Sequence, residues 1–140
     1  MAIFLGYVNA FAACSFSIIP NMKVAVIGQR SFTNYPQLER ELDALALAEG
    51  EAITEIISGG ARGADSLAER YAHERGIPLR VFLPDFKSYG RAGALIRNTA
   101  IVAAADVVWA AWGGVSPGTR HALREAQRLG IRTIVVMPLP

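Results

Sequence analysis

At 140 residues, with 52% hydrophobic and 19% charged side chains, the chain is sized for one domain and is too apolar to remain disordered. A net charge of +2 excludes strong non-specific attraction to nucleic acid. A single cysteine, Cys14, excludes an internal disulfide and suits a reducing, cytoplasmic setting. His73 and His121 stand far apart without cysteines or paired carboxylates nearby, so neither a metal nor a cofactor is expected.

Residues 1–22 carry no charge. A signal peptide would need a positive leading segment, yet the first basic residue is Lys23. A membrane span needs about 20 apolar residues, and Asn9, Ser15 and Ser17 interrupt this run. The third reading, an appendage over 1–21 from an upstream start, is preferred. Met22-Lys23-Val24 leads directly into a buried strand, which places the working domain at 22–140.

Lys23 to Ile27 is a continuous apolar run, the pattern of a strand covered on both faces. Gly28-Gln29-Arg30-Ser31-Phe32 ends it, and the dinucleotide fingerprint G-x-G-x-x-G is missing there. Asn34 and Pro36 open a helix that buries Leu38, Leu42, Leu45 and Ala46 and closes at Gly50. Thr54 to Ser58 is a second strand. A helix with Ala64, Leu67, Ala68, Tyr71 and Ala72 inward follows and stops at Gly76. Leu79 to Leu83 is a third strand, and Asp85 to Gly93 a loop whose Phe86 and Tyr89 either stack a base or pack as a lid. Arg91 to Ala104 is a helix with Ala94, Leu95, Ile101 and Val102 inward. Asn98 lies on that same stripe, as a structural amide or a ligand contact. Asp106 to Ala111 is a fourth strand. Ser116 and Pro117 open a helix with Ala122, Leu123, Ala126 and Leu129 inward, and Arg132 to Met137 is the last strand. Strands alternating with helices predict an α/β Rossmann-like, doubly wound parallel sheet of about five strands, ordered 3-2-1-4-5.

Ser58 to Asp65, S-G-G-A-R-G-A-D, joins a strand to a helix start. Unpaired amides and the macrodipole at a helix N-terminus attract anions. Gly59, Gly60 and Gly63 let backbone approach a ligand, Arg62 offers a planar fork to phosphate, and Asp65 suits a ribose hydroxyl. The plain alternative is a tight connection that needs glycine anyway. A second glycine-rich turn, Trp112 to Thr119, offers Gly113, Gly114, Ser116, Gly118 and Thr119. Both turns fall at the C-terminal edge of a parallel sheet, where ligands bind. Gly28, Arg30, Ser31, Arg97 and Asn98 are expected beside them, with Phe32 or Trp112 as a face for a base.

Four ordered stretches now carry a resemblance: V-I-G-Q-R-S-F (Val26 to Phe32), S-G-G-A-R-G-A-D, G-R-A-G-x-x-x-R-N (Gly90 to Asn98) and G-G-V-S-P-G-T (Gly113 to Thr119). The chain from Met22 to Met137 resembles the SLOG superfamily, in its YspA-like branch of small stand-alone domains. Gln29 departs from that branch, which often has Ser there. The resemblance implies a Rossmann-like fold and a nucleotide or nucleotide-derived ligand, in a sensor or signalling role. The superfamily also holds LOG-type phosphoribohydrolases, which cleave the N-glycosidic bond of nucleoside monophosphates with an Arg and a Glu. Arg97 resembles that Arg, but Ala122 stands at the Glu position, leaving Asp65 or Glu125 as the candidate acid. The related DNA-processing protein DprA binds strands with a basic excess that this chain lacks.

The expected partner is thus a nucleotide-like small molecule, with no strong nucleic-acid or membrane signal in 22–140 and homo-oligomerisation left open. Single-strand binding is the least favoured reading. Gly60→Val is expected to weaken ligand binding far more than folding, because a Cβ there would block a phosphate.

Overall fold

The computed structural model describes residues 21–140, so the readings offered for the apolar leader over residues 1–20 lie outside the described residues. Five strands alternate with helices: β1 (Met22–Gly28), α1 (Tyr35–Glu49), β2 (Ile53–Ser58), α2 (Ala64–Arg75), β3 (Leu79–Val81), α3 (Phe86–Tyr89), α4 (Ala92–Ala104), β4 (Val107–Ala111), α5 (Pro117–Leu129) and β5 (Arg132–Val136). They form one sheet in the order β3-β2-β1-β4-β5, every pairing parallel. This is the doubly wound order expected from the sequence.

The centre of the sheet follows from its side chains. β1 and β4 are apolar at nearly every position, because helices cover both faces. Val24, Val26, Val107 and Trp109 point to the face covered by α1 and α2. Ala25, Ile27, Val108 and Ala110 point to the face covered by α4 and α5. Full burial of a side chain such as Leu38, Leu42 or Ile56 contributes about 1.5–3 kcal/mol. The outer strands β3 and β5 are largely exposed.

Helix ends obey local chemistry. Asn34 accepts the Gln37 amide at 2.9 Å with proline behind it, and Ser116 accepts the Thr119 amide at 3.4 Å before Pro117. Buried Gln37 reaches back to the chain end, donating to the Met137 carbonyl and accepting the Leu139 amide. The stretch Asp85 to Gly93, expected as a plain loop, contains the single-turn helix α3. Asp85 caps it by accepting the Ser88 amide at 2.9 Å.

Two expected inward residues face outward instead. Leu95 is 45% exposed and Leu129 39% exposed. The buried stripe of α4 begins at Gly93, whose missing side chain lets the helix seat on the Asp85 carbonyl, and resumes at Ile101 and Val102.

The glycines of the first turn are explained by protein neighbours. Gly60 has φ +74°, and an added Cβ would lie 2.8 Å from Leu83 Cδ2 and 3.1 Å from Val81 Cγ1. Gly60→Val is therefore a folding lesion, contrary to the expectation from sequence. Gly63 is tighter still: at φ +76°, a Cβ would meet the Gln29 and Arg30 carbonyl oxygens at 2.5 and 2.6 Å. Backbone cannot move aside as a side-chain tip can. Gly63→Ala should cost about 3 kcal/mol or more in a denaturant titration, whereas Gly118→Ala, with open space around it, should stay within about 0.5 kcal/mol of the parent.

Candidate functional site

The C-terminal edge of the sheet opens into a cleft of about 610 Å³ on the α4/α5 side. β1 supplies its floor through Ile27 and Gly28, and the loop after β1 supplies Arg30 and Ser31. The α2 end contributes Ala61 and Asp65, α4 contributes Arg97, Asn98 and Ile101, and α5 contributes Ser116, Pro117, Gly118, Thr119 and Ala122. Nine residues expected from sequence thus converge here: Gly28, Arg30, Ser31, Asp65, Arg97, Asn98, Ser116, Gly118 and Thr119.

The first glycine turn is organised around its own carboxylate. Asp65, 8% exposed, accepts the Ala61 amide at 3.1 Å. Fully buried Ser58 accepts the Gly60 amide at 3.1 Å and bonds the Glu69 carboxylate at 3.0 Å. Two of the amides that the sequence offered to a phosphate, those of Gly60 and Ala61, are therefore already held by side chains of the same segment. Burial pushes the Asp65 carboxyl above its ordinary value of 3.8, against the opposing pull of the Ala61 amide, the Arg97 charge and the Gly59 amide.

Arg97 lies across Gly59 from Asp65. A Cβ on Gly59 would stand 2.9 Å from Asp65 Oδ2 and 3.0 Å from Arg97 Nη1, so only glycine leaves both side chains in place. Arg97 Nη1 donates to the Gly59 carbonyl at 2.6 Å, and its Nε donates to Asn98 Oδ1 at 3.0 Å. Asn98 Nδ2 then donates to the Gly118 carbonyl at 3.3 Å. A single hydrogen-bonded chain runs from the first glycine turn through α4 to the N-terminus of α5. Burial and the nearby Arg30 charge hold the Arg97 pKa below its usual value, while Asp65 acts in the opposite direction. Two guanidinium groups and one carboxyl thus share the cleft.

Arg70, Arg75, Arg80, Arg128 and Arg132 pair with carboxylates, and none of them lines the cleft. Arg30 and Arg97 form no ion pair with a described carboxylate, as is also true of Arg40, Arg62, Arg91, Arg120 and Arg124, and Asp65 acts on Arg97 only from across Gly59.

Other expected site residues fall outside the cleft. Phe32 is 2% exposed and packs at 6.2 Å from Trp109 in the core, so it offers no face to a base. Trp112 lies near Arg120, 5.9 Å from its guanidinium, and also misses the cleft. Arg62 is exposed, Gly60 abuts β3, and Ser58, Gly59 and Gly63 are buried within the turn. Gly113 donates its amide to Gln29 Oε1 at 3.1 Å, and Gly114 and Gly113 lie beyond the lining. Gln29 also donates to Ser31 at 3.1 Å, tying the β1 loop to the second turn. Glu125 is committed to Thr99 and Arg128, which removes it from the cleft as an acid. Sequence reasoning missed Ile27, Ala61, Ile101, Pro117 and Ala122. Ile101 was legible as the helical neighbour of Arg97 and Asn98.

Comparison with known proteins bears on these features. The model for the YspA, cpYpsA-related SLOG family matches residues 22–89. Gene 61 protein of Mycobacterium phage D29 is 41% identical over 85 residues, covering 56% of this chain and 68% of that protein. The chain belongs to this SLOG family. The SLOG domain also resembles DNA processing protein A from Streptococcus pneumoniae, with a TM-score of 0.65 and 20% identity over 81% of this chain. It spans 50% of that larger chain. The Helicobacter pylori protein of the same name, described for its single-stranded DNA binding mode, gives 0.61 and 23% over 81% of this chain and 64% of its own. TM1055, a structural genomics target, gives 0.56 and 23% over 80% of this chain and 72% of its own. These likenesses establish a shared Rossmann-like fold. The expectation of no strong nucleic-acid signal is overturned by the two DNA processing proteins, because global charge is blind to fold and to local clustering. Among the described residues, no helix is long and apolar enough to cross a membrane.

The buried carboxyl makes a pH test of the SLOG site. A carboxyl with a raised native pKa binds more protons folded than unfolded. Its contribution is full below the unfolded value near 3.8 and is lost as pH rises through the native value. The stability of Asp65→Asn minus that of the parent should therefore increase from about pH 3.5 to about pH 7 in parallel thermal melts.

Proposed function

We propose that the cleft binds a nucleotide or nucleotide-derived small molecule by its phosphate, as a sensor or signalling module in a cytoplasmic setting. The observation that carries this reading is the convergence of Arg30 and Arg97 in one cleft, with no described carboxylate paired to either. Two guanidinium groups, the Gly118 end of α5 and the hydroxyls of Ser31 and Thr119 suit a tetrahedral anion. The Asp65 carboxyl suits a sugar hydroxyl, and the apolar floor of Ile27, Ile101 and Ala122 suits the less polar remainder of the ligand.

A second reading, hydrolysis of the N-glycosidic bond of a nucleoside monophosphate, is favoured by one observation. Asp65 is a carboxyl at the cleft whose burial favours the protonated form, as a general acid requires. With Ala122 at the cleft and Glu125 of the same helix committed to Thr99 and Arg128, Asp65 would act alone.

Calorimetric titration with AMP and with inorganic phosphate tests the first reading. Arg30→Ala and Arg97→Ala should each weaken AMP binding about tenfold or more, at about 1.5–3 kcal/mol per charged hydrogen bond. Unchanged affinity in both variants would refute it. Free base released from AMP, abolished in Asp65→Asn, would establish the second reading.

A further inference from the structure

Beside the cleft, the segment from β3 to α4 presents a surface that nucleotide binding leaves unused. Leu83 is 72% exposed, Phe86 57% and Tyr89 55%, an unusual display for large apolar side chains on one short stretch. Their support is firm. The Asp85 cap holds α3, the Gly90 amide donates to the Phe86 carbonyl at 2.8 Å, and Gly93 seats α4 on the Asp85 carbonyl. The aromatics are therefore held outward by the backbone they stand on.

Charge on the same segment is one-sided. Residues 79–104 contain Arg80, Lys87, Arg91 and Arg97 against one carboxylate, Asp85. Asp85 is occupied as the α3 cap, and Arg80 is neutralised by Glu55. Lys87 and Arg91 interleave with the aromatics in F-K-S-Y-G-R and pair with no described carboxylate. The surface also adjoins the cleft. Leu83 abuts the Gly60 backbone, and the Phe82 carbonyl accepts from Arg97 Nη1 at 3.4 Å.

We propose that this surface is a stacking platform for single-stranded nucleic acid. One nucleotide phosphate sits in the Arg30/Arg97 cleft, neighbouring bases stack on Phe86 and Tyr89, and Lys87 and Arg91 follow the backbone. Exposed aromatic planes beside cations are what a flexible, anionic, base-bearing strand requires. A second copy of this chain fits less well. A two-fold interface through the patch would set Lys87 and Arg91 against their own counterparts. The inference rests on the reading of the cleft as a phosphate site for its inner end only.

Fluorescence anisotropy of a labelled oligothymidylate of about 12 nucleotides tests it with the full chain. Binding is expected and should weaken strongly between about 50 and 200 mM salt. The Phe86→Ala/Tyr89→Ala double variant should lose at least about tenfold in oligonucleotide affinity, at about 1–3 kcal/mol per stacked base, with AMP affinity kept within about twofold. Lys87→Glu/Arg91→Glu, which leaves the rings intact, should lose oligonucleotide binding as well. No oligonucleotide binding, or binding indifferent to both double variants, overturns the proposal. So does a dimer in light scattering that the aromatic variant dissolves while the oligonucleotide stays unbound. Oligonucleotide binding that depends on Phe86 and Tyr89 without any AMP binding would uphold the platform and refute the mononucleotide reading.

Discussion

Gly59 is flanked by two opposite charges, and the site depends on the space it leaves between them. Asp65 on one side and Arg97 on the other each reach within 3.0 Å of where a side chain on Gly59 would begin. The carboxylate holds the turn from within by accepting the Ala61 amide, and the guanidinium holds it from outside through the Gly59 carbonyl. Two amides of this turn, those of Gly60 and Ala61, are taken by its own side chains. The turn also fixes where Arg97 stands.

From Arg97 the order propagates through Asn98. A side-chain amide can accept from one partner and donate to another, and Asn98 does both, joining the Arg97 guanidinium to the Gly118 carbonyl. The two glycine turns are thereby kept in register although they belong to different halves of the sheet. Gln29 makes the corresponding link on the other wall, from Gly113 to Ser31. The bridge through Asn98 accounts for a polar residue on a helix face that periodicity assigns to the core.

The electrostatics of the cleft is set by three charged groups that line it together, Arg30, Arg97 and Asp65. Carboxylates on α1, α2, β2 and α5 neutralise five arginines outside the cleft, while Arg30 and Arg97 form no such ion pair and Asp65 acts on Arg97 from across Gly59. A net charge of +2 conceals this arrangement because opposite signs cancel in a sum but not in space.

The amino-acid sequence by itself determined the strand-helix alternation, the parallel sheet and its order. Continuous β-branched runs can only be strands covered twice, and right-handed crossovers leave few ways to connect them. It also brought Arg30, Asp65, Arg97, Asn98 and Thr119 to one edge of the sheet, through their places at strand ends or on α4. Tertiary structure decided the rest. Whether Phe32 stacks a base or packs on Trp109, whether Glu125 faces the cleft or Arg128, and whether Gly60 meets a phosphate or Leu83 all depend on neighbours remote in sequence. Local pattern encodes the path of the backbone, but the partner of a polar or glycine residue is chosen only when distant segments pack together.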